Sequence, residues 1–322
     1  MLTIDLNENK QLVIVQTQNI KVKSEQILIK VYASGVNRAD LLQRKGQYPA
    51  PIGDSDILGL EVAGVVQEVG DGVSSDWLGK RVMALCAGGG YGELVSVDVG
   101  HCIEMPQTYS FAQGAGFCEV FFTAFDALQQ YPNFGSDHTL LVHAGASGVG
   151  TAAITLAKAL GAKVVATVGS EVKQKACEQL GADLVVNYRS DDWVTSMREA
   201  GLEADVIIDP IAGEYLHRDL NVIARDGRIV VLAMLGGRFC ERFDTAKLLQ
   251  KRAHLIGSTL RNRSSQYKSE LVKQLLSQFG EQLAAGQLLP VIDSVFPWQQ
   301  AEQAHQRLEN NENIGKVILV HE

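Results

Sequence analysis

Thr139–Ser170 reads TLLVHAGASGVGTAAITLAKALGAKVVATVGS: a short apolar strand, a glycine-rich turn, an amphipathic helix and a second strand, in that order. Leu140, Leu141 and Val142 supply the first strand. The turn Gly145-Ala146-Ser147-Gly148-Val149-Gly150 lets the backbone approach a pyrophosphate at the positive end of the following helix. Val149, Ala153, Leu156, Ala157 and Leu160 then recur at helical spacing, and Gly161-Ala162-Lys163 restarts a β-rich run at Val164. Ser147 stands where the usual G-x-G-x-x-G has its middle glycine, so the turn by itself is only a tight turn. The strand before it and the helix and strand after it make it a dinucleotide-binding unit.

The alternation continues. Strands are expected near 139–143, 163–168, 183–187, 204–209, 227–234 and 253–258, with helices near 148–160, 171–180, 190–200, 213–225 and 244–251. Six strands with intervening helices predict a doubly wound parallel sheet, and VIIDP (206–210) and RIVVLA (228–233) are apolar enough to be covered on both faces. The first hundred residues differ: VIVQT (13–17), ILIKVYA (27–33) and VAGVVQEV (62–69) are short β-type runs broken by Gly, Asp and Asn, the pattern of a mostly β domain. Beyond 260 come a long amphipathic helix (about 267–285), a short helix after Pro297 and a final strand KVILV (316–320). That last strand is expected to rejoin the N-terminal β domain. The expected division is 1–121, 122–259 and 260–322, the nucleotide domain being an insertion and the active site lying in the cleft between domains.

The chain has 322 residues, 46% of them hydrophobic, which allows two sizeable cores. No apolar stretch approaches a membrane span, and the start MLTIDLNENKQ has neither the basic nor the apolar region of a signal peptide, so a cytoplasmic location is expected. Cys86, Cys102, Cys118, Cys177 and Cys240 are scattered and odd in number, and read as free, mostly buried thiols. A net charge of −8 and a pI near 5.4 disfavour a nucleic-acid or anionic-membrane surface. The basic group Lys251, Arg252, Arg261, Arg263 and Lys268 reads as a solvated face.

Taken together, SGVNRADLLQRKGQYP (34–49), ILGLEVAGVV (57–66), GKRV (79–82), YGELVSV (91–97), FFTAFDAL (121–128), HAGASGVGTAAI (143–154) and NIGKVILV (313–320) resemble the medium-chain dehydrogenase/reductase superfamily, in its zinc-free quinone oxidoreductase branch of zeta-crystallin relatives. The resemblance covers nearly the whole chain. It implies a Rossmann sheet inserted in a mostly β, GroES-like catalytic domain. Two departures from zinc-bearing relatives bear on the chemistry: Asn37 stands where those enzymes have Cys, and Leu60 where they have His, while Glu61 is kept. A catalytic zinc needs about three protein ligands, and residues 81–105 hold only Cys86 and Cys102 for a structural zinc lobe. No metal is therefore expected, and without a Lewis acid the substrate must accept hydride readily. The resemblance thus implies an NADPH-dependent reductase of quinones, with reduction of enals or enones as the alternative. Structural and RNA-binding roles known among crystallin-like relatives are the reading from another class. Lys80 in GKRV and Cys118 in GFCEV depart from the family pattern without touching a proposed site.

For the cofactor the expected contacts are Gly145, Ala146, Ser147, Gly148, Val149 and Gly150. An NAD-specific unit presents an acid at the end of its second strand, whereas this one ends in Val168-Gly169-Ser170. Ser170, Lys173 and Tyr188 look like the family's partners for a 2′-phosphate, with Glu171 one residue away from weakening that reading. The resemblance places Asn37 and Asp40 in the loop that meets the nicotinamide, though Asn37 also suits an Asx-turn after Gly35. Tyr48 could orient the acceptor oxygen or relay a proton, or simply pack before Pro49. Thr123 should face the nicotinamide, or cap a helix. No His emerges as a general base, and Ser147 is not in a G-x-S-x-G elbow. The last parallel strand, HLIGST (254–259), is an apolar edge that invites pairing with a copy of itself, so a homodimer is expected.

Overall fold

The short alternating runs near the N-terminus fold as antiparallel strands, those from residue 26 on turning alternate apolar residues into a shared core. The computed structural model describes residues 1–321 and divides into two units, Met1–Phe122 with Leu260 onward, and Thr123–Thr259. In the first unit β1 (Leu2–Leu6) and β2 (Leu12–Gln16) form a hairpin. A larger sheet contains β3 (Gln26–Val36), β4 (Glu61–Val69), β5 (Arg81–Leu85), β6 (Leu94–Asp98) and β7 (Cys102–Glu104). Ile27, Ile29, Val62, Val82 and Val95 pack together on one face. Between β3 and β4 lies α1 (Arg38–Arg44), and α2 (Phe111–Ala115) follows β7. The helix α3 (Cys118–Gln129) then carries the chain into the second unit.

The second unit holds the parallel sheet. Its strands are β8 (Thr139–Val142), β9 (Lys163–Val168), β10 (Leu184–Asn187), β11 (Ala204–Asp209), β12 (Ile223–Val231) and β13 (His254–Gly257), in spatial order β10-β9-β8-β11-β12-β13. The order reverses beside β8, where an open α/β sheet of this kind binds its ligand. The connecting helices are α4 (Gly148–Ala159), α5 (Glu171–Gln179), α6 (Trp193–Glu199), α7 (Tyr215–Asp219) and α8 (Thr245–Lys251). The expected helix 213–225 shrinks to α7. Ala212 and Gly213 have φ of 54° and 55°, which delays its start, and Ile223 already pairs with Ala204, which ends it. His143, fully buried after β8, bonds Thr167 Oγ1 (2.9 Å) and Asp219 Oδ1 (2.9 Å), tying β9 and α7 to the first strand. A ring held on both nitrogens acts as a brace.

After α9 (Ser265–Ala284) come β14 (Ile292–Pro297), α10 (Ala301–Glu309) and β15 (Lys316–Val320). The strand β15 returns to the first unit, Val317 opposite Val36 and Val320 opposite Ala33, completing the order β14-β15-β3-β4-β5-β7 with β6 on β3. This return brings Lys316 to the end of β3, where α1 begins. Among the described residues no helix is long and apolar enough to cross a membrane.

Candidate functional site

The glycine-rich turn is built from backbone contacts that side chains would break. Gly145 N–H donates to Thr167 O (2.9 Å), so the turn leaves β8 pressed onto β9. A Cβ on Gly150 would stand 2.5 Å from both Ala144 O and Gly145 O. Ser147, in place of the middle glycine, caps α4 by accepting from Gly150 N–H (3.0 Å), and Ala146 is buried beneath it. Gly148 and Val149 have no acceptor for their N–H groups within the helix, as at any helix start. Those donors, with the helix dipole, fit an anion such as a pyrophosphate.

At the end of β9 the chain passes through Gly169 to Ser170, whose Oγ caps α5 by accepting from Lys173 N–H (3.4 Å). The hydroxyl of Tyr188 lies over Gly169, within 2.5 Å of where a Cβ would stand there. Ser170, Lys173 and Tyr188 therefore share one corner. Glu171 is the exposed first residue of α5, past the cap. Thr123 is half-buried in the interior of α3, which corrects the helix-cap alternative: its position is mid-helix, where no orphan N–H needs it.

In the first unit three buried groups form one knot. Lys316 Nζ donates to Asn37 Oδ1 (2.6 Å) and Val36 O (3.0 Å) and lies 2.6 Å from Glu61 Oε1. Asn37 Nδ2 donates to Glu61 Oε1 (3.0 Å) and Gly35 O (3.4 Å), and Glu61 Oε2 accepts from Glu119 N–H (2.9 Å). Lys316 is 3% exposed and Glu61 0%. With both amide hydrogens engaged, Asn37 has no N–H left to donate to a ligand, which narrows its expected role.

Asp40 is corrected from a catalytic group to a positioning one. It has no exposed surface, and its two oxygens accept from Asn37 N–H (2.8 Å) and Gly59 N–H (3.0 Å), bracing the start of α1. Burial pushes its pKa up to about 6 against those bonds. The unfolded chain ionises first, near 3.9, so this group's stabilising contribution is full below about pH 4 and is lost as pH rises through about 6, up to about 3 kcal/mol in all. The stability advantage of wild type over Asp40→Asn should accordingly shrink by that amount between pH 4 and pH 7. Urea midpoints of both proteins across this range check it, and a constant difference would contradict it.

Arg261 and Lys268 overturn the reading of a solvated basic face. Arg252 and Arg263 are exposed as expected, but Arg261 is 5% and Lys268 6% exposed. Arg261 lies under Tyr48, its guanidinium 5.5 Å from the ring centroid and its Nη1 donating to Tyr48 O (3.4 Å). Tyr48 itself is half-buried, and burial, with Glu119 nearby, raises its phenol pKa against the pull of Arg261. A count of charges shows no burial, so nothing in the sequence marked these two cations except their place after the last parallel strand.

A metal does not suit this donor set. Around Glu61 stand an ammonium and an amide, with Leu60 beside it in the chain, and among the described residues no three His, Cys, Asp or Glu side chains converge on a common point. The Lys316 ammonium already supplies the positive charge with which an ion would balance Glu61.

Residues 23–107 match the alcohol dehydrogenase GroES-like domain, and residues 148–277 the family described as zinc-binding dehydrogenase. The chain is 33% identical to the quinone oxidoreductase of Rattus norvegicus over 302 residues, 92% of this chain and 90% of the relative. Among solved structures it is similar to Escherichia coli quinone oxidoreductase complexed with NADPH, with a TM-score of 0.84, 27% identity, and 99% and 98% of the two chains covered. It is also similar to the CurK enoyl reductase, with a TM-score of 0.86, 26% identity, and 100% and 99% covered.

Proposed function

The chain belongs to the medium-chain dehydrogenase/reductase superfamily, in its zeta-crystallin-like quinone oxidoreductase branch, and on that premise we propose that it is an NADPH-dependent, metal-independent reductase of quinones. The observation that carries this reading is the Lys316–Glu61–Asn37 knot, in which Asn37 stands at the position expected to be Cys in zinc-bearing relatives, with Leu60 at that of their His. With no ion to lower an alcohol's pKa, the acceptor must be electron-poor in itself. The likeness to an enoyl reductase favours a second reading on the same chemistry, reduction of the carbon–carbon double bond of enals or enones. Relative turnover of a quinone and an enal with NADPH separates the two.

NADPH supplies a hydride when bound. The turn at Gly145–Gly150 would hold its pyrophosphate, and Ser170, Lys173 and Tyr188 its 2′-phosphate. Asn37, held by Lys316, would meet the carboxamide, with Asp40 bracing the start of α1 behind it, and Thr123 would contribute to holding the nicotinamide. Tyr48 orients the acceptor oxygen and passes a proton to it. Rate then comes mainly from orientation. Lys173→Ala should weaken NADPH binding roughly 10- to 150-fold, the worth of a charge-assisted hydrogen bond, and leave NADH little changed. Fluorescence titration of both nucleotides checks this. Equal affinity of the wild-type protein for the two would contradict it.

The partner is a small molecule, and the net charge of −8 speaks against nucleic acid. Five unpaired cysteines suit a reducing, cytoplasmic setting. The exposed side chain of Leu255 on β13, at the edge of the parallel sheet, supports a homodimer through that strand. Light scattering at micromolar concentration should give twice the chain mass; a monomer would end that part of the reading.

A further inference from the structure

The knot at Glu61 satisfies its own charges, but a second buried group does not. Among the described residues neither Arg261 nor Lys268 lies within ion-pair distance of a carboxylate, although both are more than nine-tenths buried. Arg261 Nε donates to Ala87 O (2.8 Å), and Lys268 Nζ donates to Arg261 O (2.7 Å). Nη2 of Arg261, itself sealed from solvent, has no hydrogen-bond acceptor. The nearby acids do not supply the missing charge. Glu61 is engaged by Lys316, and Asp40 spends both oxygens on backbone N–H groups. Glu119 is held protonated near neutrality, burial and the adjacent Glu61 pushing its pKa to about 8. Asp54 is exposed and acts on Lys268 only through space. A guanidinium taken out of water without an anion is costly, and this one lies against the aromatic ring already assigned to the acceptor.

We propose that Arg261, backed by Lys268, is the cation that receives the acceptor oxygen as negative charge develops on it beside Tyr48. The proposal rests on the reading of Tyr48 as an acceptor-facing residue and extends it to a catalytic guanidinium. The bound dihydronicotinamide would supply a hydride, a hydrogen with its electron pair, which forms a C–H bond at the far end of the acceptor's conjugated system and leaves the cofactor oxidised. The carbonyl π pair moves onto oxygen. One proton from water, passed through the Tyr48 hydroxyl, then gives the enol, which for a quinone tautomerises to the hydroquinone. Arg261 supplies to that oxygen the positive charge that a metal supplies in zinc-bearing relatives, already fixed in place by its bonds to Ala87 and Tyr48. The ring of Tyr48 covers the guanidinium, so Nη2 comes into reach when that ring yields to the acceptor.

The test uses the full chain without nucleotide and 4-nitrophenol as a probe whose yellow phenolate carries one exposed oxyanion. The wild-type protein should bind the phenolate form, lowering the pH of half-ionisation of the bound probe by about one unit or more. Arg261→Met should weaken phenolate binding roughly 10- to 150-fold, with Arg261→Lys intermediate. 4-Nitroanisole, which has no ionisable oxygen, should compete equally in all three. If circular dichroism shows that Arg261→Met does not fold, Arg261→Lys and Lys268→Met decide, each with an expected loss of about threefold or more. Unchanged phenolate affinity in the folded variants, or an unshifted bound probe in the wild type, overturns the proposal. Turnover is scored separately: a wild-type protein that reduces no conjugated acceptor sinks the quinone reading, while the phenolate titration still decides the anchor.

Discussion

Lys316→Met is expected to cost about 3–5 kcal/mol of folding stability, the penalty for leaving the carboxylate of a buried pair without its partner. The pair is enclosed, with Lys316 3% and Glu61 0% exposed and 2.6 Å between nitrogen and oxygen. The same change removes the Nζ donor to Asn37 Oδ1, leaving the amide held by its bonds to Glu61 and Gly35 alone. The double variant Lys316→Met with Glu61→Gln removes both charges and should recover most of the loss, since a neutral buried pair carries no ionic desolvation penalty. Urea unfolding of the wild-type, single and double variants measures this directly. A single-variant loss below about 1 kcal/mol, the range of a surface pair, would show that the knot is solvated and does not fix Asn37.

Gly150→Val should be of similar size in the second unit. Its Cβ would meet two backbone carbonyls at 2.5 Å, and carbonyls committed to a turn cannot rotate aside as a side chain can. We expect a loss of about 3 kcal/mol, at the upper end of overpacking costs, together with at least a tenfold loss of nucleotide affinity as the turn opens. Gly280→Ala, in α9 with open space around its Cβ, is the control and should be neutral or stabilising by up to about 1 kcal/mol. Thermal melts and NADPH titration read both. Full retention of NADPH binding by Gly150→Val would mean that the turn does not hold the cofactor.

What the sequence made legible follows from period and backbone geometry. The apolar runs at 139–142, 163–168 and 204–209 can be read as buried strands because they have no polar face to show, and the turn between the first strand and α4 is specified by its glycines. The region 213–225 was less legible because the positive φ of Ala212, a non-glycine residue, leaves no compositional mark. The candidate site divides the same way. The resemblance puts Asn37 and Asp40 in one loop, yet it could not show that Asp40 is sealed or that both amide hydrogens of Asn37 are engaged. These facts depend on Gly59 and Glu61, which like Lys316 are distant in sequence. The one available sign of Lys316 was a lysine opening the otherwise apolar strand KVILV. Arg261 and Lys268 gave no sign, because a buried cation and a solvated one are the same letter.

Metal-free hydride transfer from NADPH to a conjugated acceptor can be followed as steady-state NADPH consumption with an ortho-quinone, a para-quinone and an enal, and as NADP⁺ reduction with ethanol, each with and without a chelator, and repeated with NADH and NAD⁺. Turnover of at least one quinone, indifference to the chelator, a preference for NADPH, and no oxidation of ethanol by NADP⁺ are expected of this transfer. Robust alcohol oxidation, activity abolished by chelation, or no activity with any conjugated acceptor would contradict it.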